Sequence, residues 1–138
     1  MMSLIPKPAA ALVLVLASMS PLFASSLFAQ QTVSTDLLAK DIPEFAGREV
    51  VVSTVEYPPG VSSAPHRHQA HTFVYVLEGT VVMQVAGGEM KTLGPGQTFY
   101  ESPSDVHATS RNASATAPAK ILVFMLKEKG KPRTVPVQ

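Results

Sequence analysis

The chain has 138 residues, 46% hydrophobic and 15% charged, with a formal net charge of +1. That length fits one domain, and a charge so nearly balanced argues against a nucleic-acid-binding surface despite the pI of about 8.1. There is no cysteine, which excludes disulfides, thiolate metal sites, a cysteine nucleophile and a lipid-modified cysteine.

Residues 1–29 read as a cleavable export signal. Lys7 is their only charge, Ala9–Ala17 is an uninterrupted apolar run, and Pro21, Ala24, Ser25, Ser26 and Ala29 follow. The order of basic, apolar and small residues is that of a secretory signal, and the run is too short to span a bilayer stably. The competing reading is an uncleaved anchor. Cleavage is expected after Ala29, with Ser26 as the other position, and the destination is the periplasm or the outside of the cell. Without Lys7, ten basic residues face ten acidic ones.

Residues 30–47 form a polar lead segment. Within it Thr35–Lys40 predicts a short helix, capped by Ser34 or Thr35 and ended by Ile42 and Pro43. From Arg48 the texture is β. Glu49–Tyr57 is rich in β-branched residues and closes on Pro58, Pro59 and Gly60. Thr72–Glu78 and Thr80–Ala86 predict two strands joined through Gly79 as a tight hairpin. Glu89–Leu93, Thr98–Glu101, Val106–Ser110 and the apolar Ala119–Lys127 predict four more, separated by Gly, Pro and Ser turns. The continuous apolar strands suggest burial on both faces, in a rolled double sheet or across a dimer interface. Lys127, Lys129, Lys131 and Arg133 make a mild basic tail, and residues 128–138 read as a solvated extension. Short strands at this spacing, without a helical period, make a small all-β barrel.

The four histidines of the chain fall in two blocks: His66, His68 and His71 in the first, His107 in the second. On a strand, residues two apart share a face, so His66 and His68 aim two imidazoles at one point while Arg67 turns away. His107, on a later strand, can close a third vertex. Three facial imidazoles hold a divalent ion and leave positions open, as catalytic rather than structural sites do. Imidazoles suit Fe, Mn, Ni, Cu and Zn alike. The alternative is polar surface histidines.

The two blocks resemble the two motifs of the cupin superfamily, over about residues 48–127. Gly60, His66, His68 and Gly79 stand at the spacings of the first motif, and ten residues separate Gly96 from His107 as in the second. The resemblance implies a jelly-roll-like double-stranded β-helix, a homodimer, and metal ligands at His66, His68 and His107. Departures accompany the match. The family's metal-binding Glu falls at Thr72, and the second motif has Pro103 displaced by one, Ser104 at a Gly position and Asn112 one late. His71 is the available substitute as fourth ligand. It faces away if the strand runs regularly from His68, and a turn or bulge at Gln69 and Ala70 would reverse that. Neutral ligands would leave the ion its full charge and favour anionic or oxygen-chelating substrates.

The resemblance implies a metal-dependent, dioxygenase-like enzyme acting on a small organic molecule. The alternatives are a non-catalytic module that binds a small ligand or metal, and a metal-free structural barrel. If Thr72 points inward, Val74 and Val76 do too, making an apolar cavity wall. Glu101, on one face with Phe99, reads first as exposed, otherwise as a carboxylate at the pocket mouth or a general base. Tyr75 and Tyr100 read as core residues or as ligand-orienting groups, and Met83, Met90 and Met125 as core filler.

Overall fold

The computed structural model describes residues 30–137, and among them there is no helix. The segment read as an export signal lies outside the described residues. Among the described residues no helix is long and apolar enough to cross a membrane.

The strands in chain order are β1 (Val33–Asp41), β2 (Arg48–Tyr57), β3 (Ser62–Ser63), β4 (His66–Arg67), β5 (Ala70–Glu78) and β6 (Val81–Val85). They continue with β7 (Lys91–Leu93), β8 (Thr98–Glu101), β9 (His107–Asn112), β10 (Ala119–Glu128) and β11 (Val135–Pro136). One sheet has the order β1-β2-β10-β5-β8, the other β11-β4-β9-β6-β7, with β3 also paired to β9. Every pairing is antiparallel. The chain thus alternates between two sheets that fold over one another, the jelly-roll-like double-stranded β-helix expected from the sequence.

Period-2 alternation builds the core. From β5, Ala70, Thr72, Val74 and Val76 are buried while His71, Tyr75 and Leu77 face out. From β10, Ala119, Ile121, Val123 and Met125 are buried against them, with Met83 and Val81 coming from the opposite sheet. β10 is therefore covered fully on one face only, because Phe124 stays 39% exposed. Lys127 ends the inward row, buried and ion-paired to Glu49.

Several expectations are overturned. Thr35–Lys40 is not helical but lies within β1, paired along β2 with a register shift between Asp36 and Leu38. Six residues are too few to sustain a helix, and the free edge of β2 offers backbone partners instead. Gly79 does not join a hairpin: β5 and β6 belong to different sheets. It is the corner between them, at φ 70°, and a Cβ there would lie 2.6 Å from the Pro118 carbonyl oxygen and 2.8 Å from Ala119 Cα. The segment read as a solvated tail returns to the body, where β11 pairs with β4 and Arg133 forms an ion pair with Asp36. Tyr75, Tyr100 and Met90 are not core but about half exposed.

Candidate metal centre

β4 lies between β9 and β11, and its His66 stands directly opposite His107 of β9. His68 follows β4 immediately. Next, Gln69 takes a left-handed φ of 50°, and the chain passes from one sheet to the other. These local choices bring three imidazoles together: one ring nitrogen from each of His66, His68 and His107 lies within 4.8 Å of the others.

Two rings are oriented by backbone. His66 Nδ1 donates to the Ala64 carbonyl at 2.7 Å, and His68 Nδ1 donates to the Arg133 carbonyl at 2.9 Å. A carbonyl only accepts, so each neutral ring keeps its hydrogen on Nδ1 and presents a lone pair at Nε2. Those two Nε2 atoms are 3.2 Å apart. Donors bound at about 2.1 Å to one ion are that far apart when they subtend about 100°. Burial pushes the His68 imidazolium form down in pKa, opposed by the Glu101 carboxylate, so the ring stays neutral, as a ligand must be.

His107 is buried, and neither of its ring nitrogens has a hydrogen-bond partner. Beside it stands Glu101, only 1% exposed, with Oε1 3.2 Å from His107 Nδ1 and 3.8 Å from His68 Nε2. Oε1 too is unpartnered, as is Oγ1 of Thr72, the residue directly opposite Glu101 in the β5–β8 ladder. Among the described residues, every buried side-chain nitrogen or oxygen without a partner belongs to this cluster. Each such orphan costs about 1–3 kcal/mol. The cluster therefore fits a bound cation that takes up its lone pairs at once.

The cluster opens on a cavity of about 510 Å³. Val55, Val74, Ile121, Val123, Met83 and Met125 line its apolar part, and Ser53, Tyr57 and Ser110 add hydroxyls. The last two bond to each other at 2.7 Å, and burial raises the Tyr57 pKa. Thr72 and Val74 thus do form the cavity wall expected of them, whereas Val76 points inward as expected but is buried in the core and does not line the cavity.

His71 does not join the three. It is exposed on the outer face of β5, its Nδ1 2.8 Å from the Tyr100 hydroxyl. The chain does break at Gln69, but the break is a change of sheet, and it leaves His71 facing out. Glu101, read first as exposed, is instead among the most buried side chains. Its alternation with buried Phe99 was the available signal, and its register opposite Thr72 was not readable from one sequence. The orienting carbonyl of Arg133 had no sequence signal at all.

Two antiparallel sheets rolled over a cavity, with three imidazoles converging inside, define a double-stranded β-helix with a candidate metal site. The family model of the cupin domain matches residues 53–125, and the chain belongs to the cupin family. No curated protein is similar enough in sequence to count as a relative. Among solved structures, the DMSP lyase DddQ from Ruegeria pomeroyi is 22% identical with a TM-score of 0.56, covering 64% of this chain and 43% of its own. The chain thus spans less than half of that enzyme. A conserved protein with a double-stranded β-helix domain from Klebsiella pneumoniae is 18% identical, with a TM-score of 0.61, covering 80% and 87%. An oxalate oxidase in complex with the substrate analogue glycolate is 23% identical, with a TM-score of 0.58, covering 77% and 55%. These likenesses are of fold.

Proposed function

We propose that this cupin holds a divalent metal ion through His66, His68 and His107 and performs an oxygen-dependent, dioxygenase-like reaction on a small organic molecule. The observation that carries this reading is the pair of Nε2 lone pairs facing each other at 3.2 Å, each ring held so by a carbonyl at Nδ1. Two lone pairs at that distance repel, and a cation between them converts the repulsion into two bonds.

When bound, the ion supplies Lewis acidity and, if redox-active, electron transfer with oxygen. The chain's own residues do the rest. The apolar walls exclude water and receive the body of the substrate, while the hydroxyls of Ser53 and Ser110 orient its polar groups. Fe, Mn, Ni, Cu and Zn all suit three imidazoles. The lyase and oxidase of like fold are named for small organic molecules, which accords with a substrate of that class.

We also read the protein as exported, from the composition of residues 1–29, and as a homodimer. Exposed Phe73, Tyr75, Tyr100 and Phe124 on the outer face of β5, β8 and β10 support the second of these. Sedimentation equilibrium tests the dimer.

Elemental analysis of the purified protein, beside His66→Ala and His107→Ala, tests the centre. Near-stoichiometric metal in the wild type, lost in both variants, is the expected result. Oxygen uptake across a panel of small carboxylates, diketones and phenols then tests the reaction. A wild type that stays metal-free after reconstitution overturns the proposal. Metal bound without oxygen uptake would make the protein a binding module instead.

A further inference from the structure

Glu101 poses a problem that the three histidines do not solve. A buried carboxylate needs a cation or several hydrogen-bond donors, and without them the charge costs several kcal/mol. Among the described residues its ion-pair contacts are His68 and His107 alone, with no lysine or arginine beside it. Yet the His68 Nδ1 hydrogen goes to the Arg133 carbonyl, so the nitrogen facing Glu101 at 3.8 Å is a lone pair. His107 Nδ1 lies 3.2 Å away, but neither it nor Glu101 Oε1 has a hydrogen-bond partner. The carboxylate and the imidazoles of His68 and His107 stand close without bonding one another.

We infer that Glu101 is the fourth protein ligand of the centre, supplying its carboxylate from β8. This rests on the metal-binding reading above. Donors bound to one ion at about 2.1 Å stand about 3.0–3.4 Å apart at octahedral or tetrahedral angles. The 3.2 Å to His107 falls in that range and the 3.8 Å to His68 lies just beyond it. Glu101 stands outside the trio whose ligand atoms are all within 4.8 Å of one another, so its carboxylate must shift to join them on an ion. The strand pairing explains how a carboxylate comes to be here. Thr72 occupies the position where a first-motif Glu would stand, and Thr72 and Glu101 are direct cross-strand partners, both buried. Side chains so opposed start from Cβ atoms about 5 Å apart on the same face. Exchanging carboxylate and hydroxyl between the two strands keeps the carboxylate in the same cavity.

The exchange has a consequence for the substrate. With a carboxylate ligand a divalent ion retains a net charge of +1, not the full charge expected of neutral imidazoles alone. Together with the apolar walls, this favours an uncharged or singly charged oxygen donor over a dianion.

The test compares wild type, Glu101→Gln and the exchanged pair Thr72→Glu with Glu101→Thr. Zn(II) and Co(II) affinities are read by competition with a chromogenic chelator, and coordination from the visible spectrum of the Co(II) forms. Losing an outer-shell partner weakens metal binding about 10–100-fold, so losing a ligand should weaken it by more than about 100-fold in E101Q. The Co(II) bands should shift at the same time, and the exchanged pair should regain most of the affinity. E101Q weakened by no more than about 100-fold, the range of an outer-shell loss, with superimposable Co(II) bands, overturns the inference, because Glu101 then acts from outside the coordination sphere. If the exchanged pair does not fold, E101Q, of nearly the same shape, decides alone. A wild type that binds neither ion defeats the metal-binding reading itself, a different result from a metal-binding wild type indifferent to E101Q.

Discussion

Ending the chain at Pro132 should loosen the candidate metal centre while leaving the barrel folded. The truncation removes the Arg133 carbonyl from His68 Nδ1 and takes away β11, whose Val135 and Pro136 pair with Arg67 and His66. His68 then loses the bond that fixes its tautomer and ring direction, and β4 becomes an edge strand. Loss of such an orienting partner costs about 10–100-fold in metal affinity, which is about 1.4–2.8 kcal/mol. The barrel should tolerate the change, because the core cluster runs from Tyr57 to Met125 and contains no residue of this segment. Arg133→Ala is the control. It keeps the carbonyl and removes only the ion pair with Asp36, both partners of which are substantially exposed. Such a pair is worth about 0–1 kcal/mol, and affinity should hardly move. Zn(II) competition titrations give the affinities, and circular dichroism melts check the fold. A truncated protein that binds as tightly as the full chain refutes the reasoning. So does an Arg133→Ala variant weakened as much as the truncation.

Three other outcomes follow from the same geometry. Asn112→Ala should destabilise the fold by about 3–4 kcal/mol in a urea titration, since burial leaves the abandoned groups unpaired; a loss under about 1 kcal/mol, the worth of one ordinary bond, would contradict this. The Asn112 amide donates to the Tyr57, Pro58 and Ala117 carbonyls, and its Oδ1 accepts from the Ser114 N–H. His71→Ala should leave metal content and affinity unchanged, because that ring sits outside the barrel against Tyr100; metal lost from this variant would show His71 to be a ligand after all. The third outcome concerns pH. Burial depresses the His68 pKa, so the folded metal-free protein binds fewer protons than the unfolded one. Its contribution to stability is present above the unfolded value of about 6.5 and is lost as the pH falls from there through the lower folded value. The metal-free melting temperature should therefore drop on acidification through this window, and His68→Gln should flatten part of the drop; identical slopes would count against it.

What the sequence determined by itself is local. His66 and His68, two residues apart, had to share a direction on any extended chain, and Gly96 to His107 set the length of the return that brings the third ring over. Alternation in Thr72–Glu78 divided that strand into a cavity face and an outer face, and the runs of β-branched residues between Gly and Pro turns required strands. Those signals depend on backbone geometry over a few residues. The rest depended on which segments meet. Thr35–Lys40 carries a weak helical signal, but the open edge of β2 captured it. Gly79 looks like a hairpin turn until the neighbours of β5 prove to be β8 and β10. Glu101 reads as a surface residue until register sets it opposite Thr72, in front of His68 and His107. Arg133 contributes a carbonyl, which its side chain does not advertise. Pairing partners, register and backbone donors are properties of contacts between residues far apart in the chain, so only the tertiary structure decided which polar groups surround the three imidazoles.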